Sequence, residues 1–168
     1  DLRRIKLTVA YDGTNYCGWQ IQPNGITIEE ILNKKLSALT KEDIRVIGAS
    51  RTDSGVHALG NVAGFDTEST IPPERMALAL NQKLPEDIVI VKSEEVPLSW
   101  HPRYQDHITK TYEYHIYNAR TANPMKKRTS TFVYVPLDVE KMREGAAFLV
   151  GEHDFASFCC IRTTTEDT

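Results

Sequence analysis

Cysteine is scarce. The three thiols among 168 residues, Cys17, Cys159 and Cys160, cannot build a disulfide framework, and no pair has the two-residue gap of a zinc or redox motif. A reducing cytoplasm fits that pattern. Long apolar runs are missing too: Ala146 to Val150 is the longest purely apolar stretch, far short of the roughly 20 residues that span a bilayer. The N-terminus has no apolar signal core, so the sequence predicts a protein neither inserted nor exported. Neither sign of charge dominates. Twenty Lys and Arg face 23 Asp and Glu, a net charge of -3, which gives no global pull toward nucleic acid; any RNA partner must be held by a local basic surface. Nine glycines and eight prolines are too few for collagen-like or low-complexity classes, and no Gly-rich phosphate loop is present. A chain of this length buries roughly 70% of the surface its unfolded form exposes, so its core needs no staples.

What is there reads as alternating strands and helices. Ile5, Leu7, Val9 and Tyr11 alternate with Lys6, Thr8 and Ala10, the period-two pattern of a half-buried strand, and Asp12-Gly13 ends it in a turn. Thr27 with Glu30 forms a capping box ahead of Ile28, Ile31, Leu32, Leu36 and Leu39, which predicts a helix from about 28 to 39. Ile44 to Ser50 and Asn61 to Asp66 read as strands joined by the polar loop RTDSGVHALG. Pro72 and Pro73 suit a helix start, Met76, Leu80 and Leu84 supply its apolar stripe, and Ile88 to Val91 follows as an apolar strand. The order through residue 96 is the ferredoxin-like split βαββαβ arrangement. Lys110 to Tyr117 and Thr131 to Val135 read as further strands, with Asp138 capping a helix that carries Val139, Met142, Ala146 and Leu149. The expected fold class is therefore α+β: a ferredoxin-like unit over 1–96, then a second α+β unit over 97–168 that reads as incomplete after HDFASF.

The densest polar cluster between apolar strands is Arg51, Thr52, Asp53, Ser54, Gly55, Val56 and His57. Arg51 and Asp53 point to one side if the backbone there is extended, and could then pair. Burial can raise an Asp by up to roughly 3 to 5 pH units and an adjacent Arg pull it back by about 1 to 3, so Arg51 matters to that carboxylate only if Asp53 is buried. A surface turn in which Asp53 accepts backbone amides is the commoner use of such a sequence. Chemistry offers three alternatives. Ser54 with His57 could form a serine nucleophile, but the G-x-S-x-G pattern is absent. Asp-Ser-Gly occurs in aspartic proteases, where two such loops share a proton, so a dimer would be required. Asp53 alone could act as nucleophile or base on a bound substrate.

Between Trp100 and Arg128 lie Arg103, Lys110, Arg120, Lys126, Lys127 and Arg128 against only Asp106 and Glu113, with His101, His107 and His115 adding to them. Tyr104, Tyr112, Tyr114 and Tyr117 are interleaved, and aromatics among cations suit unpaired bases, each stack contributing about 1 to 3 kcal/mol. A solvated strand with tyrosines packed at its edge is the plainer reading. If 110–117 is a strand, Lys110, Tyr112 and Tyr114 share a face. The five histidines, with His57 and His153 on further elements, show no ligand spacing, so no metal is expected. Trp19 and Trp100 could stack on bases but are more often core anchors beside turns.

Taken in register, YDGTNYCGWQIQPN at 11–24, SRTDSGVHALGNV at 50–62, LNQKLPEDIVI at 80–90, HPRY with KTYEYHIYN at 101–118, and GEHDFASF at 151–158 resemble the tRNA pseudouridine synthase family of the A type. The resemblance implies a homodimeric tRNA-uridine isomerase acting on the anticodon arm without cofactor or metal. It implies that Asp53 is catalytic, attacking C6 of the base or C1′ of the ribose or removing a ribose proton. It further implies that Arg51 pairs with Asp53 and helps hold the flipped nucleotide, and that Tyr112 stacks on the target base. His57, Arg103 and Lys110 complete the candidate substrate contacts. Ser50 stands where the family usually has Gly and WHPR where FHAR is usual, and the family's later basic segment has no counterpart before Thr168. Two other classes compete: a noncatalytic RNA-binding module of the same fold, although the RNP aromatic pattern is lacking, and a dimeric aspartic protease.

Overall fold

The computed structural model describes residues 1–105 and 108–159; Asp106, His107 and Cys160 of the sequence reading lie outside them. The architecture is mixed α+β, and the chain divides into two units, Asp1–Thr111 and Tyr112–Thr168.

In the first unit, strand β1 (Arg3–Tyr11) is followed by α1 (Ile28–Thr40), β2 (Ile47–Gly48), β3 (Ala58–Thr67), α2 (Pro73–Asn81) and β4 (Ile88–Val96). The sheet order is β2-β3-β1-β4, every neighbouring pair antiparallel. The alternation seen in the sequence puts Ile5, Leu7, Val9 and Tyr11 on the buried face of β1. Against that face α1 sets Ile28, Leu32 and Leu36, one residue per turn, and α2 adds Met76, Ala77 and Leu80. Each fully buried Leu or Ile contributes about 1.5–3 kcal/mol, so this stripe-on-sheet contact dominates the unit's stability.

Local signals fix the helix ends. The Thr27 hydroxyl accepts the Glu30 N–H at 3.3 Å, and Lys41 closes α1 in the left-handed region with φ 63°. Pro72 is the N-cap of α2 and Pro73 its first residue, where a missing N–H leaves nothing unsatisfied. On the sheet's other face Trp100 lies against Gly64, where a Cβ would come within 2.7 Å of the indole, and Lys6 Nζ sits 5.8 Å from its ring centroid. Arg4 clasps both Asp66 oxygens at 2.7 and 2.8 Å and donates to the Trp100 carbonyl.

The strand expected over Ile44 to Ser50 shrinks to two residues. Ile44 and Val46 are buried as their pattern suggests, but their N–H groups go to α1 side chains, Ser37 Oγ at 2.9 Å and Asn33 Oδ1 at 2.8 Å, instead of a neighbouring strand.

The second unit contains β5 (Ile116–Asn118), β6 (Thr131–Val133) and α3 (Val139–Ala147), with a 3₁₀ turn at Pro124–Lys126. β5 and β6 pair in parallel. Asp138 caps α3, its carboxylate accepting the Lys141 N–H at 3.1 Å. The strand expected from Lys110 starts only at Ile116: residues 108–115 are exposed and form no ladder, so period-two alternation there does not place Lys110, Tyr112 and Tyr114 on one sheet face. Only its end meets β6, the His115 carbonyl accepting the Thr131 N–H at 2.8 Å. No helix among the described residues is long and apolar enough to cross a membrane.

Candidate active site

The RTDSGVHA loop joins β2 to β3, and the segment that leaves β1 holds it from beneath. Its first limb is tied by Asn61, a buried side chain that accepts the Ser50 N–H at 3.2 Å and donates to the Ser50 carbonyl at 2.9 Å. The same Nδ2 donates to the Tyr11 hydroxyl, which bonds Thr52 Oγ1 at 2.7 Å. Trp19 N–H donates to the Thr52 carbonyl at 3.0 Å. Beyond Asp53 the chain turns, Val56 N–H bonding the Asp53 carbonyl at 3.1 Å, and the Gly55 N–H reaches the Tyr16 carbonyl. The Gly13 N–H donates to His57 Nδ1 at 2.9 Å. The same Nδ1 lies 3.2 Å from Asp12 Oδ1, so the ring bridges both residues of the Asp12-Gly13 turn.

Two glycines make the close approach possible. A Cβ on Gly18, whose φ is +79°, would lie 2.6 Å from the Thr52 carbonyl oxygen and 3.2 Å from the Asp53 carbonyl carbon; one on Gly13 would lie 2.0 Å from the Val56 oxygen. Backbone therefore packs on backbone, and the Asp-Gly and Cys-Gly pairs of YDGTNYCGW serve as a floor for the Asp53 loop. The floor is itself anchored. Tyr16 is buried and donates its hydroxyl to Asp87 at 2.6 Å, and burial, then the Asp87 contact, push that hydroxyl's pKa well above its ordinary value. Trp19 is fully buried beside Gly48, with its ring 6.0 Å from that of Tyr11. It is a core anchor and presents no face to a ligand.

Asp53 projects from this clamped turn into solvent. Among the described residues no ion pair joins it to Arg51; the expected Arg51–Asp53 pairing is not found. Arg51 instead lines a polar cleft of about 310 Å³ with Glu29, His101, Arg103 and Tyr104. Asp53 and Arg51 leave an irregular loop, not a strand, so a separation of two in sequence does not put them side by side. Arg103 is fixed there, its Nε donating to the Gly48 carbonyl at 2.8 Å, and the His101 and Tyr104 rings stack at 4.6 Å.

Glu29 was not singled out by the sequence. An acidic residue in the first turn of a helix ordinarily complements the dipole, and that commonplace explanation hides it. In the structure burial raises its carboxyl above the usual range, opposed by Arg51, Arg103 and the Ile21 N–H.

The other candidates lie on separate segments of the chain. His57 sits at the foot of the loop, Lys110 lies in the irregular stretch ahead of the second unit, and Tyr112, 60% exposed, opens that unit. The basic run is likewise divided, with Arg103 and Lys110 in the first unit and Arg120, Lys126, Lys127 and Arg128 in the second. Among the described residues no three His, Cys, Asp or Glu side chains gather as metal ligands would.

Comparison with known proteins identifies the family to which this α+β unit belongs. The family model described as tRNA pseudouridine synthase matches residues 7–105. Tyr11, Gly13, Gly18, Trp19, Arg51 and Asp53 all fall inside that match. The chain is 49% identical over 157 residues to the tRNA pseudouridine synthase A of Ruminiclostridium cellulolyticum, a match covering 94% of this chain and 64% of that protein. It is 46% identical over 167 residues to the protein of the same name from Geotalea daltonii, covering 97% and 68%, and 46% identical over 166 residues to that from Exiguobacterium sibiricum, covering 99% and 66%. The chain belongs to the tRNA pseudouridine synthase family. It spans about two thirds of the length of these relatives.

Proposed function

We propose that this chain carries the catalytic loop of a tRNA-uridine isomerase that acts on the anticodon stem-loop, with Asp53 as the catalytic carboxylate. The reaction replaces the C1′–N1 bond of a uridine by C1′–C5 and expels the hydrogen on C5. One observation carries the reading: a loop clamped along its length by Tyr11, Trp19, Tyr16 and two glycines leaves a single carboxylate projecting from its turn. Such rigidity is what positioning chemistry needs, and a turn serving only to connect two strands needs none of it. Attack at C6, attack at C1′ and removal of a ribose proton all place the same carboxylate against a flipped nucleotide.

With Asp53 exposed, the Arg51 guanidinium is assigned to the RNA, beside Arg103, rather than to holding Asp53 charged. Tyr112 is the stacking ring, His57 braces the loop, and Lys110 faces phosphate. Extruding the uridine costs a few kcal/mol, which stacking and phosphate contacts must offset. The strand order β2-β3-β1-β4 supports a ferredoxin-like reading of residues 1–96, the part of the first unit that carries the sheet. The protein works as a cytoplasmic homodimer, and the chemistry calls on no cofactor or metal.

A noncatalytic RNA-binding module remains the second reading, favoured by the exposure of Asp53 and the missing ion pair to Arg51. Asp53→Ala and Asp53→Asn separate the two. The proposal expects both variants to bind tRNA and lose turnover; turnover retained by either removes Asp53 from the mechanism.

A further inference from the structure

The second unit holds a cleft of about 440 Å³ whose lining includes Tyr117, Asn123, Pro124, Lys126, Lys127 and Phe132. Its wall is aromatic: the Tyr117 and Phe132 rings lie 6.4 Å apart on adjacent positions of β5 and β6. Its rim is basic. No Asp or Glu occurs between Glu113 and Asp138, a stretch that contains Arg120, Lys126, Lys127 and Arg128. Lys126 and Lys127 are exposed.

The rim is also wound tightly. Asn123 caps the 3₁₀ turn by accepting the Met125 N–H at 3.0 Å, and the Lys126 carbonyl accepts the Thr129 and Ser130 N–H groups and the Ser130 hydroxyl at 2.8 Å. The lysine stems thus project from fixed points, and a ligand has only their side chains left to order. An apolar protein segment would cover the rings and leave two ammonium groups without counter-charge. A nucleotide satisfies both, its base on the rings and its phosphate on the lysines.

We propose that this cleft is a second RNA subsite, in which an unstacked nucleotide rests on Phe132 and Tyr117 and its phosphate meets Lys126 and Lys127. The inference rests on RNA being the substrate.

Binding of an anticodon stem-loop RNA, measured across a salt series with the whole protein, tests it. The Lys126→Gln/Lys127→Gln protein should show a log-log salt slope shallower by about 1.4, two single-strand phosphate contacts at about 0.7 each. Phe132→Leu, which keeps the apolar bulk and loses the π face, should bind about tenfold more weakly with the slope unchanged. Lys34→Gln/Lys35→Gln, the same charge removed from α1, should leave the slope as it is. An unaltered slope in the Lys126/Lys127 variant, or an equal drop in the α1 variant, overturns the subsite while leaving Asp53's role standing. A wild-type protein that binds no RNA overturns both.

Discussion

The helices α1 and α3 obey the same grammar and end in different surroundings. Each begins at a side-chain cap, Thr27 or Asp138, and each carries an apolar stripe at helical spacing. Ile28, Leu32 and Leu36 of α1 are fully buried against the sheet, whereas Val139 and Met142 of α3 are 53% and 47% exposed. The contrast extends to the units. The first holds the hydrophobic core, and no described residue of the second is buried. Caps and turns are enough to specify a helix; burial is decided by what lies opposite it, which no local pattern contains.

The sharpest way to break that comparison is to delete a leucine from each unit. Leu32→Ala should cost about 2–5 kcal/mol, the range for a buried leucine that leaves a cavity. Leu149→Ala, half exposed in the second unit, should stay within about 0.5 kcal/mol. Urea unfolding of both variants checks this, and equal losses would erase the distinction between the units.

Glycines sharpen it further. Gly18→Ala meets both a left-handed backbone and the Thr52 carbonyl, so it should lose at least about 1–2 kcal/mol and displace the Asp53 loop, lowering turnover more than RNA binding. Gly145 of α3 has open space where a Cβ would go. Gly145→Ala should therefore stabilise that helix by about 0.5–1 kcal/mol, read as slower amide exchange across residues 139–147. A destabilised α3 would contradict open space beside Gly145.

The smallest effects are electrostatic and have opposite signs. The Arg4 guanidinium holds Asp66 below the usual carboxylate range, so the stability it contributes is present above about pH 4 and lost as the pH falls. Asp66→Asn should be less stable than the parent at neutral pH, with the difference closing in acid. Burial raises Glu29, so its contribution is complete below the unfolded value and lost as the pH rises through the higher folded one. Glu29→Gln should therefore gain stability relative to the parent at neutral pH and not in acid. Unfolding midpoints at pH 7 and at about pH 2–3, below both unfolded carboxylate values, decide both signs, and a shared sign would contradict the two environments.

Most of the first unit was legible in the sequence because its signals are local and mutually consistent: alternation in β1, the Thr27 box, the Pro72-Pro73 start. Alternation misleads where backbone partners are missing or unexpected. Ile44 and Val46 bond to helix side chains, and residues 110–114 alternate outside any ladder among the described residues. The Asp53 loop was legible as a loop, but the floor beneath it was not, because a positive φ at Gly18 and its contact with Thr52 join residues more than thirty apart. Arg51 illustrates the same limit. Proximity in sequence suggested Asp53 as its neighbour, and folding sets it with Glu29 and Arg103 instead.

Release of tritium from tRNA labelled at C5 of uridine, compared between wild-type and Asp53→Asn protein at matched RNA occupancy, bears most directly on the clamped carboxylate. Loss of at least about 10²–10⁴-fold in the variant, the scale of a positioned acid or base, is expected. Release at the wild-type rate would contradict a catalytic Asp53 and leave the loop a structural turn.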